Sequence, residues 1–156
     1  LFLTELFNSA IPSVVSEPDE DGVRFEAVID KDLVIFQVGQ AYKGKIPNLL
    51  GQTPIYNILF GIGDPNNPND SPSMELTNKH QAFKILPFVV QCLREVLNQA
   101  KQNSVPAIRF AASKHEPTRI SLYDKMLKRV PNGYEVLKVN SSFNSYIHYY
   151  IVDKGY

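Results

Sequence analysis

The 156 residues suit one ordinary domain, read over 1–156 with an N-terminal arm at 1–22. The 16 basic and 16 acidic residues cancel, which argues against a protein that holds duplex nucleic acid through overall positive charge. With 44% hydrophobic and 11% aromatic residues the chain is not an acidic disordered polymer, and Cys92, its one cysteine, excludes an intrachain disulfide.

In chain order, residues 1–7 are apolar but carry Glu5, lack the basic flank of a secretory signal and are too short to span a bilayer. A cytoplasmic setting and no membrane partner are therefore expected. The segment through Ser16 reads as a short helix or an edge strand, and 17–22 as an acidic turn. Val23, Phe25, Ala27 and Ile29 then alternate with Arg24, Glu26 and Asp30, the period-two pattern of a half-buried strand. A turn at 30–32 leads to a β-rich run over 33–38, which completes a hairpin. Residues 39–54 hold three glycines and two prolines and read as a loop, 55–62 as an apolar central strand, and 63–77 as a flexible Pro/Asn-rich surface loop.

From 78 to 103 the period changes. Ala82, Leu86, Val89, Leu93, Val96, Leu97 and Ala100 trace one helical face, and Pro87 either kinks this helix or marks the first turn of a shorter one. A strand over 107–112 follows, then a second helix from 116 or 117 to 130 that Pro131, Asn132 and Gly133 stop, and strands over 134–139 and 146–152. The fold class is thus α/β of the mixed α+β kind. Its largely antiparallel sheet has about six to seven strands, with a long central helix and a shorter second one.

The chemistry-bearing residues have plain readings. Tyr123 shares its helix face with Ile120, Leu127 and Val130, as a core tyrosine would. Lys114, Arg119, Lys125, Lys128 and Arg129 read as a solvated face rather than as a contact for a phosphate-bearing ligand or nucleic acid. His80, His115 and His148 are too scattered for a metal motif, so no metal is expected. Tyr146, His148 and Tyr150 fall on one face of the last strand, suited to a pocket wall or a partner interface. No nucleophile elbow, P-loop or dinucleotide fingerprint occurs.

The order strand, helix, strand, helix, strand, strand after the opening hairpin resembles the GNAT acyltransferase fold over about 23–152. Leu122-Tyr123-Asp124-Lys125, followed by Gly133-Tyr134, resembles that family's Leu-Tyr-acidic-Lys helix and its Gly-Phe or Gly-Tyr exit. The stretch 82–136 is most similar to divergent GNAT-like proteins of tailed bacteriophages.

The resemblance implies acetyl-CoA as cosubstrate, an amine as acceptor, and a cleft where 55–62 and 107–112 splay apart. Its pyrophosphate would rest at the start of the long helix, on Asn78, Lys79, His80 and Gln81, with Arg119 as a further cofactor contact. Tyr123 would be the general acid that protonates the departing thiolate. The family's phosphate turn carries glycine, whereas 76–82 has none and only Ala82 matches its last small residue. The alternative is therefore a non-catalytic GNAT-fold binding or virion-associated phage protein, with a phage-protein or homo-oligomeric partner.

Overall fold

A computed structural model of the chain describes residues 13–19, 22–63, 66 and 79–156, with the backbone alone given for 13–19 and 79–82. Its elements are β1 (Ser13–Asp19), β2 (Gly22–Ile29), β3 (Asp32–Val38), β4 (Tyr42–Gly44), β5 (Thr53–Gly63), α1 (Lys79–Gln102), β6 (Ala107–Ser113), α2 (Pro117–Leu127), β7 (Tyr134–Asn140) and β8 (Tyr146–Asp153). The sheet runs β1-β2-β3-β5-β6-β8-β7, and β4 pairs with β5 off that path. Mixed α/β character and a mostly antiparallel sheet are as expected from the sequence.

The β2–β3 hairpin keeps unbroken register from Val23↔Val38 to Ile29↔Asp32. Gly22 opens it at φ +92, where any Cβ would collide with the Val38 carbonyl, so the position requires glycine. Of the two readings of the opening segment the edge strand is the one formed, and one further strand was not expected. Residues 17–19 extend β1 rather than forming a turn, and Pro18 is tolerated because β1 lies at the sheet edge. The arm read over 1–22 thus contributes a sheet strand, while residues 1–12 lie outside the described residues. Residues 42–44, read as loop, form β4 because β5 offers them a partner from Tyr42↔Ile55 to Gly44↔Thr53.

Pro87 lies well inside α1, eight residues past Lys79. It has no N–H for the Phe83 carbonyl, and Phe83 is an exposed residue of the helix surface. The loop read over 63–77 falls almost wholly outside the described residues. α2 ends at Leu127, three residues short of expectation, in a turn closed by Arg129 N–H to Met126 O and Val130 N–H to Leu127 O.

Both helices pack on one face of the sheet. Val89, Leu93 and Val96 of α1 and Leu122, Tyr123 and Met126 of α2 share one cluster with Phe25, Phe36, Phe60, Phe110, Tyr149 and Ile151. Burying each such side chain contributes about 1.5–3 kcal/mol. The opposite face holds a smaller cluster of Ile46, Ile55, Ala107 and Val152, with Leu49, Leu137 and Tyr150 packed against it.

Candidate functional site

β5 and β6 are the sheet's one parallel pair among the described strands, because the chain leaves β5, crosses through α1 and re-enters in the same direction. Their pairing covers only Ile55↔Ala107, Tyr56↔Ile108 and Asn57↔Arg109. Beyond Asn57, β5 continues to Gly63 on β3 and β6 continues to Ser113 on β8. Each strand therefore has an edge turned toward the other with no ladder between them.

Backbone groups on that edge follow from alternation. The Asn57 carbonyl accepts from Gly39 N–H, on the β3 side, whereas the Phe60 carbonyl accepts from Arg119 Nη1 at 2.8 Å. Along a strand, N–H and C=O of one residue point the same way and reverse at the next. Ile58 and Phe60 thus turn their N–H and C=O toward β6, while Leu59 and Gly61 bond β3. The Ile58 N–H closes the last bridge of the ladder on the Arg109 carbonyl, so the Ile58 carbonyl and the Phe60 N–H are the groups the split leaves without a strand partner.

The split opens a cleft of about 230 Å3. Glu116, Arg119 and Tyr123 line it from the helix side; Asn57, Leu59, Arg109, Ala111, Ser113 and Tyr146 line it from the other face. The assignment to faces follows from Phe110, whose ring meets Tyr123 edge-on at 4.7 Å and therefore points to the helices, leaving Arg109 and Ala111 on the reverse.

Arg119 lines the cleft from α2. It is 1% exposed, against the solvated face expected for it, and it lies on the buried side of α2 with Leu122, Tyr123 and Met126. Its guanidinium is held by the Glu116 carboxylate (Nε to Oε2, 3.0 Å), the Phe60 carbonyl and the Tyr123 hydroxyl (3.2 Å), and sits 5.4 Å from the Phe60 ring centre. Nη2 is buried without a partner. Glu116 also accepts from Ser113 N–H, tying the end of β6 to the start of α2. Of the rest of the basic cluster, Lys125, Lys128 and Arg129 are exposed as read, whereas Lys114 is half-buried and donates to the Ser141 carbonyl.

Tyr123 is 2% exposed and packs against Phe110 and against Tyr149 at 5.5 Å. Its hydroxyl oxygen accepts from Arg119, which leaves the phenolic proton free to donate. Burial raises its pKa, and the charge and hydrogen bond of Arg119 only partly counter this, so the group stays protonated at neutral pH.

On the far face Arg109 donates from Nη1 to Asn57 Oδ1 at 2.8 Å and from Nη2 to His148 Nδ1 at 2.6 Å. A guanidinium only donates, so Nδ1 must accept and His148 is neutral. Burial first, then the Arg109 charge, lowers the His148 pKa. Tyr146, His148 and Tyr150 do share this face, opposite Ser113, Ala111 and Arg109 in register.

Of the cofactor residues implied by the resemblance, those on α2 are described with their side chains and those at the start of α1 are not. Asn78 lies outside the described residues; Lys79, His80 and Gln81 form the first turn of α1. Arg119 and Tyr123 do meet there. Arg109 and Asn57 were not singled out in the sequence, although a charged and an amide residue inside apolar strands are the signal that could have found them. Among the described residues no helix is long and apolar enough to cross a membrane, and no group of three or more His, Cys, Asp or Glu is placed to hold a metal ion. Comparison with family models, curated proteins and solved structures finds no match to this chain.

Proposed function

We propose that this is a GNAT-like domain, phage-encoded and acting in the host cytoplasm, whose β5–β6 cleft receives the thioester end of acetyl-CoA and an amine. The observation that carries the reading is the three-pair parallel ladder that ends at Asn57↔Arg109 beside a buried, protonated tyrosine. The Ile58 carbonyl and the Phe60 N–H suit the amide-bearing arm of the donor, which would extend the interrupted ladder.

Acetyl-CoA supplies an acyl carbonyl activated as a thioester. The chain's part is then positional and electrostatic. The β5 edge aligns the donor, a strand N–H supports the carbonyl oxygen as charge develops, and Ile58, backed by the buried Phe60 and Phe110 of the core, keeps water away. As the amine nitrogen bonds to the acyl carbon and the carbon–sulfur bond breaks, Tyr123 Oη gives its proton to the leaving sulfur. The nitrogen releases its own proton to water, and the phenolate beside Arg119 regains one from solvent.

A second reading, a non-catalytic domain with a phage-protein partner, is favoured by one feature. Arg119 Nη1 already occupies the Phe60 carbonyl, one of the groups the donor would use. Thermal melting with acetyl-CoA separates the two. At 100 times the dissociation constant the ligand stabilises by about 2.7 kcal/mol, and at about 2–4 °C per kcal/mol the melting temperature rises by about 5–10 °C. No rise at millimolar acetyl-CoA leaves the non-catalytic reading. Given binding, Tyr123→Phe lowers kcat about 100-fold or more with little change in affinity.

A further inference from the structure

We infer that Arg109 receives a carboxylate, so that the ligand entering the cleft from the face opposite the helices is a small amine bearing an acid group, of amino-acid size. The inference builds on the reading of this cleft as the acceptor's place and names the acceptor's class.

The charge balance of the cleft carries the argument. Its two guanidiniums are treated differently by the fold. Arg119 has a carboxylate, Glu116, at 3.0 Å. Arg109 has no acidic partner among the described residues; its contacts are the amide oxygen of Asn57 and the neutral ring of His148. With one carboxylate and two guanidiniums on its wall, the cleft keeps one uncompensated positive charge, at Arg109.

That charge is also held in place. Asn57 takes one Nη1 hydrogen and His148 one Nη2 hydrogen, which fixes the plane of the fork on a strand rather than a loop. The second hydrogens of both nitrogens and the Nε hydrogen have no acceptor among the described residues. A planar fork with parallel free donors matches a carboxylate in two-point fashion. Neutral acceptors orient such a fork without cancelling its charge.

Size and surroundings narrow the ligand. The cleft of about 230 Å3 lies below the roughly 300–1,000 Å3 of sites for drug-sized molecules. Ala111, between Arg109 and Ser113 on this face, leaves the floor low, and the half-exposed Tyr146 and Leu59 offer apolar walls for a short side chain. An amine beside the carboxylate would lie on the β6 side of the split, facing a donor laid along β5.

The test uses N-acetylalanine, a product-like probe that needs no turnover, against its neutral counterpart N-acetylalaninamide. Both are titrated into the whole chain and read by 1H–15N spectra that include the arginine Nε–H signals. The expected result is at least about tenfold tighter binding of the acid, the worth of one charge-assisted contact in a partly exposed site, with the Arg109 Nε–H signal moving most. Arg109→Gln should erase the difference between the two probes. The paired probes in the unaltered protein already decide the matter should the variant fold poorly. Equal affinities, no binding of either, or an acid preference that survives Arg109→Gln each overturn the inference. Acetyl-CoA melting is scored separately. A shift there with no acid preference sinks only the acceptor class; an acid preference without any shift supports the Arg109 site and removes the acyl donor.

Discussion

The two ends of the β5–β6 pair are built from neighbouring residues yet behave in opposite ways. At the base, Ile55 and Ala107 sit in register and are sealed by Ile46 and Val152. Two residues further, Asn57 and Arg109 end the ladder, and polar side chains take over from backbone partners. The contrast teaches that the sheet's continuity is secured by apolar burial at one end and given up at the other, where Arg119 substitutes for one missing ladder bond.

The largest expected effect tests the base. Ile55→Ala should destabilise by about 2–5 kcal/mol, as a buried truncation does, and a denaturant midpoint measures it. Asn57→Ala, only two positions away, should cost under about 1 kcal/mol because its partner Arg109 can turn to water. Comparable losses at the two positions would break the contrast. Arg119→Ala comes between them, at about 3 kcal/mol, since it strands the Phe60 carbonyl and removes the Glu116 pair, whose carboxylate partly reaches solvent.

A smaller effect concerns pH. His148 has its pKa held below the ordinary 6.5 by burial and then by Arg109. Between those two values the unfolded chain binds more protons than the fold, so stability is full above about pH 6.5 and falls as pH drops through it. His148→Gln should therefore flatten the loss of stability between about pH 7 and pH 5. An unchanged slope would mean that the ring does not hold Arg109 as described.

Much of the frame was legible in local pattern. Alternation at 23–29 and the apolar stripe of α1 marked elements that bury one face, and Tyr146, His148 and Tyr150 were placed together by period two alone. β1 was legible only as one of two alternatives, because Pro18 and two register shifts blur its alternation. β4 was hidden because its three residues are a strand only through β5. The burial of Arg119 was illegible for a different reason: its partner, the Phe60 carbonyl, is 59 residues away. A basic residue between Thr118 and Ile120 reads as surface until tertiary structure supplies an acceptor. Arg109 stood in plain view in an apolar strand, but only the split gives it a role.

Amide hydrogen exchange along β5 tests the parting of the two strands most directly. The account predicts that Phe60 N–H exchanges at least about tenfold faster than the N–H groups of Leu59 and Gly61, which bond β3, and of Ile58, which bonds β6, and that acetyl-CoA slows Phe60 selectively. Uniform protection from 57 to 61 would mean that β5 is laddered on both sides, and that no opening exists for a ligand to enter.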